Sequence, residues 1–514
     1  MNTATTENGA SSYGTTNDPR LDLFFKTTRT LGKLGASYDE NHQLYTLIDA
    51  SWMQDQEDTM KILMNWRDCR GGKGDYDGFI TAMAYINSYV PGGKEWVATI
   101  CHMIPEYGSW LDLIKLWHLG CSSLKDDIME VITLQLQKDI MTTRTNDANA
   151  DVPVSLLAKW IPSENSKWDR YTKNRFCLAL CRALFPSVKT ITSKELRSLR
   201  QDYLAPIRKH LDLVEIKMCR NAYGEIDYSK VPSVAMNRYK YAFIDHDNDR
   251  FTQYLADVAA KKTKINAGQV YPHDLVKQYL ASGSTHNEVI EAQWQDIKAK
   301  VAATGAFKNA ISIVDVSGSM VGTPMQVAIA LGLLSCGEWN DHQVITFSED
   351  PDLYSVKEST TLHDQVKRLS ERMPWGMNTN FEKVIDLIHG LVVDGKKQIE
   401  RLFIFSDMQF DRAIQDSNQT DMARIRAKFA TTGHTLPQII FWNLRGDTQD
   451  FPITTDESGV AMLSGFSPAL LTSIMDNDDI SPMAILFKII RSPRYEKIKL
   501  PDWRQLDTYF ESDV

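Results

Sequence analysis

The run Asp315-Val-Ser-Gly-Ser319 places a carboxylate and two hydroxyls at alternate positions, straight after the apolar run Ala310-Ile-Ser-Ile-Val314. A second carboxylate, Asp407, follows Phe405-Ser406 at the end of another apolar run, and Thr379 lies between them in Trp375-Gly-Met-Asn-Thr379-Asn380. Ser317 and Ser319 can turn both hydroxyl oxygens towards one point beside Asp315. Hydroxyl and carboxylate oxygens are hard donors, suited to Mg2+ or Ca2+ and unsuited to Zn2+. Mg2+ keeps several waters in its octahedron, so a few direct ligands and water-bridged carboxylates satisfy it. These oxygens are therefore candidates for a divalent-cation site, with Mg2+ expected in preference to Mn2+ or Ca2+.

Such a site needs strands that end at one edge. From Asn309 onward short apolar runs occur at 310–314, 344–347, 401–406, 438–442 and 460–463. Between them lie helical patterns at 324–339, 361–372, 381–393 and 419–430, the first opening on Pro324 as a first-turn proline does. Buried strands alternating with helices predict a doubly wound parallel α/β sheet. In such a sheet ligands sit beyond the carboxyl ends of the strands, where Asp315 and Asp407 fall.

The chain before this has another texture. From Asp18 to about Tyr279 apolar residues recur three and four apart, as in Leu111–Trp117 and in Leu196, Leu199, Leu204, Ile207, Leu211 and Val214. Gly71-Gly72, Pro91-Gly92-Gly93, Pro105, Pro162, Pro186 and Pro232 separate these runs. The pattern predicts stacked helix pairs, HEAT-like in arrangement, without an exact internal period. Gly71-Gly72-Lys73-Gly74 lacks the spacing and the hydroxyl of a phosphate loop. Asp245–Asp249 starts like a calcium loop, but Arg250 and Ala256 stand where Gly and Glu are needed.

The expected organisation is a disordered tail over 1–17, a helical region over 18–285, a connecting helix over 286–308 and an α/β domain with a C-terminal extension over 309–514. The tail is Thr, Ser, Gly and Asn, with nothing apolar to offset the entropy of ordering. The net charge of −9 is segregated: 13 basic against 20 acidic residues before 151, 24 against 17 over 151–300, and 20 against 29 thereafter. A basic middle between acidic ends suits an anionic partner. Its candidates are Lys194, Arg197, Arg200, Arg208 and Lys209 in one helical stretch, and Lys261, Lys262 and Lys264 after another. Tyr203 and Tyr271 stand nearby as aromatics on which unpaired bases could stack.

Seven cysteines in 514 residues, with no Cys-x-x-Cys pair, suit a reduced compartment, cytoplasm or nucleus. No apolar run approaches the ~18 residues of a membrane span. Neither a His-Glu-x-x-His, a Gly-x-Ser-x-Gly elbow nor a Cys-His constellation occurs, so enzymatic activity is not expected.

Asp-x-Ser-x-Ser, a later Thr in a Gly/Asn loop and Ser-Asp after a further strand resemble the metal-ion-dependent adhesion site of von Willebrand factor A domains. The resemblance implies Ser317, Ser319 and Thr379 as hydroxyl ligands, with Asp315 and Asp407 acting largely through water. It also implies that an acidic side chain of a partner completes the coordination. Segments Arg67–Gly74, Ile104–Leu113, Val214–Met218, Lys230–Met236, Phe251–Leu255 and Val270–Leu275 resemble an uncharacterised family of plants, fungi and large DNA viruses. More distantly they resemble the TROVE module of the Ro ribonucleoprotein autoantigen, in which a ring of helical repeats binds structured RNA. Three functions are thus expected in order: a metal-dependent interaction scaffold, an RNA-binding ring, and a structural component of a virion if the source is a virus.

Overall fold

The computed structural model describes residues 3–5, 11–120, 122–145, 153–171, 175–347, 351–357, 361–372, 381–395, 399–409, 421–448, 450–455, 457–474 and 480–500. The chain forms two compact units. One combines Met1–Gly78 with Asp227–Glu496, and the other is built around Phe79–Ile226. These borders cut across the expected ones at 285 and 309, because the N-terminal segment packs with the C-terminal half.

The first unit is organised on a six-stranded sheet. Its strands are β3 (Ala310–Asp315), β4 (Gln343–Phe347), β5 (Leu353–Ser355), β6 (Arg401–Ser406), β7 (Gln438–Asn443) and β8 (Val460–Ser464), in the order β5-β4-β3-β6-β7-β8. All neighbours are parallel except β5, which pairs antiparallel with β4 at the edge. Strands β3 and β8 are buried along their whole length, which is why they read as near-continuous apolar runs, interrupted within β3 by the buried Ser312. The chain leaves β3 towards β4 and β5, then crosses to β6 on the other side of β3. The carboxyl ends of β3 and β6 therefore flank the point where the winding reverses, where open parallel sheets bind ligands.

Helix Thr323–Ser335 lies on β3 so closely that a Cβ on Gly332 would meet Val314 Cγ2 at 2.4 Å. The expected connecting helix is present over Glu288–Thr304, capped by the Asn287 side chain at Ile290 N and ended by Gly305 at φ +70°. Its Val289, Trp294, Ile297 and Val301 are buried.

Within the segment 1–17, expected as a disordered tail, the described residues are 3–5 and 11–17. Thr3–Thr5 (β1) and Ser11–Tyr13 (β2) form a two-stranded antiparallel ladder. The Tyr13 and Phe451 backbones exchange hydrogen bonds of 3.0 and 2.9 Å, and Thr16 Oγ1 donates to Asp22 Oδ1 at 2.5 Å. Backbone pairing and a buried carboxylate order this polar segment where apolar burial does not.

In the second unit the described elements are helical, among them Gly93–Ile100, Trp110–Leu119, Ser122–Thr145 and Phe176–Leu184. The stretch expected as one helix is an α-helix over Ser193–Ser198, a π-helical turn over Leu199–Leu204 and an α-helix over Ala205–His210. Ala205 N–H bonds to Arg200 O, five residues back. The wider turn brings Leu199 and Leu204, five apart, to the same buried face as Ile207.

Candidate functional site

Parallel register sets Val314 against Phe405, so Asp315 lies level with Ser406 and Asp407 stands one residue beyond. Ser406 Oγ donates to Asp315 Oδ2 at 2.6 Å, and the Ser317 amide donates to Asp315 Oδ1 at 2.9 Å. Ser317 Oγ and Ser319 Oγ are 3.0 Å apart, with Ser317 buried and Ser319 exposed. Asp407 Oδ1 accepts the Gln409 amide at 3.1 Å. Met408 between them has φ +66°, a left-handed conformation that a side chain of its size adopts only where the surroundings impose it. The sequence thus brings together four of the five expected residues. Thr379, and with it the loop 373–380, lies outside the described residues.

Both carboxyl groups are fully buried, and among the described residues Asp407 Oδ2 has no hydrogen-bond partner. Burial, and then the charge of Asp407, pushes the Asp315 carboxyl well above its usual range. Burial also raises Asp407, with the Ser319 hydroxyl, the Gln409 amide and Arg445 pulling the other way. Two anions brought out of water side by side are unfavourable unless a cation joins them. Among the described residues no group of three or more His, Cys, Asp or Glu is placed to hold a metal ion. This cluster has only two such members, and its remaining oxygens are hydroxyls.

Sequence reasoning missed the positive side of the site. Arg445, two residues after β7, lies with Nη1 3.2 Å from Ser319 O and 4.0 Å from Asp407 Oδ2, and its Nε donates to Asp447 Oδ1 at 3.0 Å. The loop that carries it is held from the N-terminal segment. Lys26 Nζ donates to Thr448 Oγ1 (3.0 Å) and Asp450 O (2.7 Å), Gln43 Nε2 donates to Thr448 O (2.9 Å), and the Gly446 amide donates to Thr30 Oγ1 (2.7 Å). No local pattern reveals contacts across some four hundred residues. The only sequence signal was Ser406, which stands in the Ser-Asp pair.

The basic residues divide. Lys194, Arg197, Arg200 and Lys209 are exposed in the second unit, and Lys261, Lys262 and Lys264 are exposed in the first. Arg208 is half-buried: its Nε donates to Ala158 O at 2.7 Å and its Nη2 to Ile161 O at 2.8 Å, so it ties off the end of the helix Leu157–Trp160. Arg29 lies 4.3 Å over the Tyr271 ring, His273 stacks on it at 5.5 Å, and the Tyr271 hydroxyl donates to Gly74 O, so this ring is not offered to a base. Tyr203 is half-buried, edge-on to Phe185. No helix among the described residues is long and apolar enough to cross a membrane.

Two family models match, a domain of unknown function (DUF2828) over residues 6–119 and 121–307 and another (DUF7788) over 309–491. "Uncharacterized protein L728" of Acanthamoeba polyphaga mimivirus is 33% identical over 521 residues, covering 95% of this chain and 87% of that one. The crystal structure of the Deinococcus radiodurans Ro (RSR) protein is similar at 13% identity and a TM-score of 0.46, covering 92% of this chain and 100% of that one. One model matches more than half of the chain and the mimivirus protein spans nearly all of it, so the chain belongs to the DUF2828 family.

Proposed function

We propose that this chain is a metal-dependent interaction scaffold rather than an enzyme. Ser317 and Ser319, with Thr379 from the neighbouring loop, would hold Mg2+, or Mn2+ or Ca2+ in its place. Asp315 and Asp407 would supply the negative charge, largely through water. The ion would present an open position to an Asp or Glu of a protein partner, as the resemblance to von Willebrand A domains implies. The observation that carries this reading is the buried, unpartnered Asp407 Oδ2 beside a second buried carboxylate at the winding reversal. A hard cation supplies the charge that this pair lacks.

A second reading, RNA binding of the Ro type, rests on Lys194, Arg197, Arg200 and Lys209, which are exposed. One experiment separates the two. The full chain and Asp407→Asn are titrated calorimetrically with Mn2+, then used as baits with and without EDTA and at low and high salt. Mn2+ binding lost in Asp407→Asn, with protein capture abolished by EDTA, supports the scaffold. Capture of RNA that ignores EDTA and falls steeply with salt supports the second reading. No Mn2+ binding by the wild type, even with captured partner present, overturns the first.

A further inference from the structure

We infer that Arg445 is a cationic latch that keeps metal affinity low until an anionic partner arrives, an inference that rests on the metal reading above. Its guanidinium lies against the unpartnered oxygen of Asp407 at 4.0 Å and donates to the Ser319 carbonyl at 3.2 Å. It therefore stands between the two sides of the site. Its position is not accidental. Asp447 grips Nε at 3.0 Å and Nη2 at 3.3 Å, which fixes the plane of the fork and aims Nη1 at the site. Arg445 N is itself fixed by Asn443 Oδ1 at 2.9 Å.

A guanidinium cannot lose its proton in the physiological range, so its charge is permanent. In the metal-free site it offers Asp407 partial compensation. A divalent cation entering between Ser319 and Asp407 meets that charge at short range and is repelled. The carboxylate of an acidic side chain reverses the sign of the encounter, because it neutralises the metal and offers its second oxygen to the fork. Metal and acidic partner are then mutually reinforcing, and each raises the affinity for the other. Arg445 is a positioning and gating residue here, not a ligand.

The test uses the full chain and Mn2+ alone, read by the loss of the free-ion paramagnetic signal. Arg445→Gln and the bulkier, apolar Arg445→Met should each bind Mn2+ about tenfold more tightly than the wild type at low ionic strength. That gap should shrink in concentrated KCl, because cation–cation repulsion is screened. A purely structural arginine would give weaker binding in both variants and no salt-dependent gap. Equal or weaker Mn2+ affinity in folded variants, with the wild type still binding, overturns the latch and leaves the metal reading standing. Absence of Mn2+ binding in wild type and variants alike overturns the latch, and the metal reading falls with it only when binding stays absent with captured partner present.

Discussion

Lys26 and Lys73 are both buried, and each directs its ammonium at neutral oxygens. Lys73 Nζ donates to Thr27 Oγ1 (2.7 Å), Ser464 Oγ (2.6 Å) and the Phe24 carbonyl, and burial drives its pKa well below the usual lysine value. Lys26 lies over the Phe451 ring at 4.6 Å, and burial lowers it to about 7 against the pull of Asp450, Asp22, Asp447 and Asp407. An unfolded lysine titrates near 10.4, so between those two values the unfolded chain binds more protons than the folded one. Stability must then rise with pH from about 7 to about 10 on account of this group, and the full penalty is present below that window. Lys26→Met removes the titration along with two hydrogen bonds. The hydrogen-bond loss is roughly constant with pH, whereas the slope should flatten by up to about 1.4 kcal/mol per pH unit. Urea midpoints between neutral and alkaline pH measure it, and identical slopes in wild type and variant would refute the assignment.

At the scale of elements, the segment after β7 is set by one close approach. A Cβ on Gly446 would lie 1.9 Å from the Lys26 carbonyl oxygen and 2.8 Å from Thr28 Oγ1. Gly446→Ala should cost about 1–3 kcal/mol and shift Mn2+ affinity as well, because the same loop carries Arg445. Gly390, in the helix Phe381–Val393, has open space around its Cβ position, so Gly390→Ala serves as the control and should stabilise. Thermal unfolding of both variants decides it. The strands that could be read from sequence are those the sheet buries on both faces, β6 above all, whose Arg401–Ser406 bounds match the apolar run. Edge strand β5 could not be read, since Leu353-Tyr-Ser is only half-buried and has neither alternation nor length. The π-helical turn left a trace in the five-residue step from Leu199 to Leu204, which helical periodicity alone does not explain. Gly74 beside Lys73 has a steric reason to be glycine. A Cβ on Gly74 would lie 1.6 Å from Tyr271 Oη, in a backbone at φ +74°. Asp315, Ser317, Ser319 and Asp407 were legible because their spacing is local to strand ends. Arg445 and its supports were not, because they meet only through the fold.

At the scale of the molecule, the sheet is completed by a segment from the opposite end of the chain. Asn443 Nδ2 donates to Phe25 O at 3.0 Å, Ser464 Oγ donates to Phe24 O at 2.8 Å, and Tyr13 pairs with Phe451. Arg494 and Tyr495 close on Asp68, with Arg494 Nη2 at 2.6 Å and the tyrosine hydroxyl at 2.9 Å. Leu21, Leu23, Phe24 and Phe25 are completely buried in this packing. Each large apolar side chain contributes about 1.5–3 kcal/mol when fully buried, against a typical whole-domain stability of only about 5–15 kcal/mol. A fragment over 309–496 would expose the surface that residues 11–78 cover and leave Asn443, Arg494 and Tyr495 without their partners Phe25 and Asp68. It should therefore lack a cooperative unfolding transition, although its residues include every strand of the sheet. Co-expression of 11–78 with 227–496 should restore that transition, since together they make up the described body of the first compact unit. Urea denaturation followed by tryptophan fluorescence provides the measurement, with proton NMR dispersion as a check on packing. A sharp two-state transition for 309–496 alone would mean that the sheet is an independent domain and that the N-terminal segment only decorates it.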